Sequence, residues 1–131
     1  MAVNITAIAA CVFSVLSTQD AKVPTVYVAP TAEKFQSYIK HRGVDGAYAK
    51  SLAVHLGARD PRYDIIVFNT SKNFNAKIVA HELGHVAQAH RARRGGWWDL
   101  YYHGLGTRKA VRDSYEREAW FASAMCAKAG D

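Results

Sequence analysis

Cysteine, proline and long apolar runs are scarce in this chain. Only Cys11 and Cys126 stand among 131 residues, with three prolines. The spacing of the two cysteines from the other candidate ligands excludes a cysteine-based zinc site. One bond between them and two unrelated buried thiols both fit the count, so the redox compartment stays open. The apolar stretch from Ala7 to Leu16 is too short to cross a bilayer, so no transmembrane segment is expected. No Lys or Arg precedes it and no A-x-A site follows it, so it lacks two marks of a signal peptide. It sets Ile5, Ile8, Ala9, Val12, Phe13 and Leu16 on one helical face and reads as a first helix, with a secretion signal as the alternative. A cytoplasmic location is the first expectation and a secreted one the second. Internal repeats, low-complexity tracts and long linkers are missing too. Gly104-Leu105-Gly106 lacks the Lys-Ser/Thr and the preceding strand of a phosphate loop. No Ser/His/Asp arrangement suggests itself, and neither cysteine is placed as a nucleophile.

What is present describes one domain over residues 1–131, with residues 1–20 as an N-terminal helix carrying the signal-like segment. The length suffices for a core without disulfide staples. The formal charge is +6, from 17 Lys and Arg against 11 Asp and Glu. Arg91, Arg93, Arg94, Arg108, Lys109, Arg112 and Arg117 concentrate this charge late in the chain. Such a cluster favours an acidic partner or nucleic acid, although no nucleic-acid motif accompanies it. A solvated helix end and loop is the plainer reading.

The element pattern alternates. Residues 3–17 predict a helix, Val23 to Ala29 a strand, and Thr31 to about His41 a helix bearing Phe35, Tyr38 and Ile39. Ala47 to Leu56 fits a strand through Tyr48, Leu52, Val54 and Leu56, while its Ala and Leu content also suits a helix. Tyr63 to Asn69 is the best strand, and its unbroken apolar run predicts burial on both faces. Ser71, Asn73 and Asn75 are candidate caps for a helix ending at Gly95-Gly96. An aromatic loop with Trp97, Trp98, Tyr101, Tyr102 and His103 follows, then a last helix from about Thr107 to Lys128. The fold class expected is α+β.

The helix ending at Gly95 holds His81-Glu82-Leu83-Gly84-His85, an H-E-x-x-H pattern. Histidines four apart share a helical face and can close on one metal ion. A catalytic zinc site has three protein ligands and an open position for water, and Glu82 stands beside the pair as a general base. Gly84 costs roughly 1 kcal/mol against Ala in a helix interior, a cost explained if another backbone packs close. The third ligand lies elsewhere. The longer pattern with a third histidine fails, since Gln88 and Arg91 stand where Gly and His are needed. His90 points away from the pair and reads as surface. His103 is within reach but sits on the aromatic loop.

HELGH followed by an E-x-x-A segment resembles the zincin metallopeptidases in which a glutamate on a second helix completes the site. Glu116-Arg117-Glu118-Ala119, with Phe121-Ala122, is similar to the E-x-E-A-N-x-F-A segment of the ImmA/IrrE-type peptidases. The resemblance covers roughly residues 63–127. It implies a minimal zincin-like domain, with a small mainly antiparallel or mixed sheet packed against the HExxH helix and a C-terminal ligand helix. It implies Zn2+ held by His81, His85 and Glu116, with Glu118 as the fallback. Residues 116 and 118 lie about 200° apart on a helix, so only one can face the metal. Trp120 departs from the pattern, which has Asn or Asp there to orient a metal-bound histidine. Asp113, one turn earlier, is the substitute available. The LLMP-like ending of the ImmA/IrrE segment is absent as well. The strand at Ile65 to Asn69 would offer the substrate an edge, and Tyr101, Tyr102 or His103 would stabilise an oxyanion. The function expected is hydrolysis of peptide bonds in a peptide or protein substrate. The alternative is a weakly active or inactive binding module using the basic surface.

Overall fold

The computed structural model describes residues 3–44, 46–58 and 64–131. Among the described residues, five α-helices and one three-stranded sheet make an α+β fold. Helix α1 (Ile5–Val15) starts where the Asn4 side chain accepts a hydrogen bond from the Ala7 amide, and buries Ile8, Ala9, Val12 and Phe13. These are residues of the apolar face expected from the sequence, and they enter the main core. Strand β1 (Thr25–Val28) follows. Thr31 then caps α2 (Ala32–His41), which buries Phe35 and Ile39. Tyr38 stacks on Tyr27 instead, with ring centroids 4.5 Å apart.

The segment Ala47–Leu56 is strand only at β2 (Ala53–His55), between short 3-10 turns at Gly46–Tyr48 and Leu56–Ala58. The strand expected over its whole length is thus cut to three residues. Leu56 is buried against α2, whereas Leu52 stays about half exposed at 48%. The three-residue strand is too short to show the alternating burial expected.

Strand β3 (Ile65–Phe68) is central, in the order β1-β3-β2. It runs parallel to β1 and antiparallel to β2. Ile66 and Phe68 face a core built by α1 and the two long C-terminal helices, while Val67 faces Phe35 and Ile39 of α2. The two-sided burial expected of this run follows from that sandwich.

Asn75, not Ser71 or Asn73, caps α3 (Ala76–Arg94), accepting from the Ile78 amide at 3.0 Å. Helix α3 is buried along most of its length, including His81, Glu82 and Gln88. The expected aromatic loop is a helix, α4 (Trp98–Thr107). Its two glycines read as breakers in sequence, but Tyr101 is buried against Ala89, Ala92 and Tyr115, and that packing outweighs the glycine cost. Helix α5 (Lys109–Cys126) ends in a disulfide to Cys11 of α1, with Cα atoms 5.6 Å apart. No helix among the described residues is long and apolar enough to cross a membrane.

Candidate metal centre

Helices α3 and α5 meet at Gly84 and Ala119. A Cβ on Gly84 would lie 3.0 Å from the Cα of Ala119, so only glycine permits this approach without displacement. The close crossing sets the face of α5 that bears Glu116 against the face of α3 that bears both histidines. Glu116 Oε2 lies 3.2 Å from His81 Nε2, and its Oε1 lies 2.8 Å from His85 Nε2. The two Nε2 atoms are 3.2 Å apart. Bonds of about 2.0–2.1 Å in a tetrahedral site put ligand atoms about 3.3 Å from one another. The two short carboxylate contacts go to different oxygens of Glu116, and one ligand atom from each residue lies within 4.8 Å of the other two, a spacing and donor set that could hold a metal ion; no other such group occurs among the described residues.

Gln88 fixes one histidine. Its Nε2 donates to the Tyr115 carbonyl at 2.8 Å and to Glu118 Oε1 at 3.1 Å. Its Oε1 is thus the acceptor, and takes the Tyr101 hydroxyl at 3.3 Å. His85 Nδ1, 2.9 Å from the same oxygen, must carry a proton and donate. When His85 is neutral, its lone pair therefore sits on Nε2, toward Glu116. In sequence Gln88 counts only as the residue that breaks the longer three-histidine pattern. Its i+3 spacing from His85 was the signal of its role.

His81 is held differently. The Trp120 ring lies against it, with centroids 3.9 Å apart and planes at 37°. Its Nδ1 is buried and has no hydrogen-bond partner. Trp120 thus supplies packing where a polar partner was expected. Asp113 does not replace that partner, because Lys109 binds it at 2.6 Å.

The electrostatics draw positive charge to the site. Burial disfavours the His85 cation, but the hydrogen bond to Glu116 and the charges of Glu82 and Glu116 overcome it and raise the pKa to about 9. Burial likewise works against the Glu116 carboxylate, yet hydrogen bonds from His81 and His85 hold its pKa far below the ordinary range.

The remaining sequence candidates separate cleanly. Glu118 pairs with Arg91, with Nη2 to Oε1 at 2.6 Å, and does not enter the metal-binding group. His90 contacts Asp20 at 3.0 Å, away from the site. Tyr101 is buried with its hydroxyl on Gln88, and burial pushes its pKa above the usual value, so it stays a donor there. Its hydroxyl is engaged with Gln88, while Tyr101 itself still lines the cleft. Tyr102 stacks on Trp98 at 5.0 Å and, with His103, lines the cleft in front of the metal-binding group. Trp97 packs edge-on against Tyr101.

The cleft holds about 540 Å³. It is lined by His81, Glu82 and His85, by Ser51 to His55, and by residues of α4 and α5. Strand β3 is paired on both sides and offers no free edge, so the expected substrate edge at Ile65–Asn69 is corrected. The strand that borders the cleft is β2, at the sheet margin.

The basic cluster breaks up on folding. Arg91 pairs with Glu118, Arg94 with Asp20 at 2.9 Å and Lys109 with Asp113. Arg93 donates to the Gly57 carbonyl and lies over Trp98. The basic surface that the alternative, partner-binding reading would use is therefore interrupted by neighbouring acids. No family model, curated protein or solved structure matches this chain.

Proposed function

We propose that the protein is a zinc-dependent metallopeptidase of zincin type. The convergence of His81, His85 and Glu116, with one ligand atom of each within 4.8 Å of the others, in a cleft that Glu82 also lines, carries the reading. His81, His85 and Glu116 would hold the zinc ion, which when bound would supply Lewis acidity to a water and to the scissile carbonyl. Glu82 takes the proton of the attacking water on its carboxylate and later returns it to the leaving amine nitrogen. The β2 margin holds an extended peptide through its free backbone groups. Tyr102 and His103, across the cleft, are the groups suited to steady charge on the carbonyl oxygen.

A Glu82→Gln variant is expected to keep one zinc per chain by elemental analysis. It should lose about 10²–10⁴-fold of its cleavage rate on an unfolded protein substrate. Full activity in that variant would sink the mechanism. A native chain that takes up no stoichiometric zinc would be a binding module instead.

A further inference from the structure

Arg112 lies on α5 four residues before Glu116. Residues four apart share a helical face, and Arg112 lines the cleft with Glu116. It is the one Lys or Arg among the described lining residues, and it makes no ion pair among the described residues. Asp113, the acid beside it in sequence, is bound to Lys109 at 2.6 Å. Arg108 and Arg117 also lack ion pairs there, but neither lines the cleft. The two carboxylates of the cleft lining, Glu82 and Glu116, belong to the base and ligand roles. Much of the remaining wall is apolar, through Val44, Leu52, Val54 and Leu105.

A substrate carboxylate would thus meet one uncommitted cation against a largely apolar wall. Guanidinium matches a carboxylate with two parallel hydrogen bonds. One helical turn rises about 5.4 Å, the length of one to two residues of extended peptide at about 3.3 Å each.

Resting on the peptidase reading of this cleft, we propose that Arg112 is a specificity residue that binds a substrate carboxylate one or two residues from the scissile bond. The carboxylate comes from an acidic side chain or from the peptide's own C-terminus. The chain then prefers peptides carrying negative charge at that position.

The test uses fluorescent hexapeptides of alanine and phenylalanine with Glu, Gln or Lys at each position in turn, each made with an amidated and a free C-terminus. Binding to zinc-loaded Glu82→Gln protein is read by anisotropy, and cleavage by the zinc-loaded native chain is read separately. At one position Glu should bind about tenfold to a hundredfold more tightly than Gln, with Lys weaker still, and high salt should narrow the gap. Adding Arg112→Gln should erase the Glu preference, and Arg112→Lys should restore part of it. A preference tied only to the free terminus supports the proposal and names the terminus as the source. Equal binding of Glu and Gln at every position, a Glu preference that survives Arg112→Gln, or no binding of any peptide overturns it. Binding with the Glu preference but no cleavage by the native chain overturns the peptidase reading and leaves the carboxylate subsite standing.

Discussion

A histidine that binds zinc must give up the proton that Glu116 helps it hold. With its pKa raised to about 9, metal-free His85 is protonated at neutral pH. Zinc uptake at pH 7 should therefore release about one proton from His85, and affinity should rise about tenfold per pH unit until about pH 9. Calorimetry in two buffers of different ionisation enthalpy measures the release, and an unchanged heat between buffers contradicts it. In chelator the sign reverses. The raised pKa of His85 contributes stability that is whole below its ordinary value of 6.5 and is lost as pH climbs through about 9. The lowered pKa of Glu116 contributes stability that is whole above its ordinary 4.5 and is lost as pH falls. The metal-free melting temperature should peak between those two values. Trp120 gives a second prediction. Trp120→Ala removes the ring against His81 and should weaken zinc binding about 10–100-fold, the usual cost of losing a residue that orients a ligand. Trp120→Asn should recover part of that loss by giving His81 Nδ1 an acceptor. Competition with a chelating dye measures both.

Among the elements, the α3–α5 crossing governs the site. A larger residue at position 84 must push against the backbone at Ala119. Gly84→Val should cost about 1–3 kcal/mol as overpacking and should lower zinc stoichiometry, since Glu116 rides on the displaced helix. Urea titration and metal analysis on the same preparation check both effects, and unchanged stoichiometry would show that the crossing does not set the ligand distance. This crossing was legible in sequence, because a mid-helix glycine and a small Ala119 stand in the two segments that carry the ligand candidates. Strand β3 was legible too, since Ile65 to Phe68 leave no polar position to face water. Helix α4 was not, because Gly104 and Gly106 mimic loop chemistry and the pull of Tyr101 toward Ala89 and Ala92 is a contact between distant residues. The identity of the cleft-edge strand was hidden for a similar reason. Chain order puts β3 next to α3, but only the pairing register shows that β2 lies outside it. The composition of 91–117 suggested a basic face, and its partners Asp20 and Glu118 become visible only when the chain is folded.

At the scale of the whole molecule, the Cys11–Cys126 bond joins α1 to the end of α5 across a sequence separation of 115. Two ways of using the cysteines were open in the sequence, since spacing alone says nothing about distance in space. The C-terminal turn returns to α1, where a Cβ on Gly130 would strike Ile8, so packing as well as the bond ties the C-terminal turn to α1. Replacing both cysteines with alanine should cost about 2–4 kcal/mol by freeing the unfolded chain. The metal-binding group lies some turns away on α5, so zinc stoichiometry should survive in the folded variant. Urea midpoints with and without reductant measure the cost, and identical midpoints would contradict it.

The bond also makes most of the polypeptide a closed loop. A single cut anywhere between residues 11 and 126 opens that loop and releases no fragment. If the proposed peptidase reading holds, a first cut by a sister molecule between these residues would leave every piece tethered, and would show on a gel only after reduction.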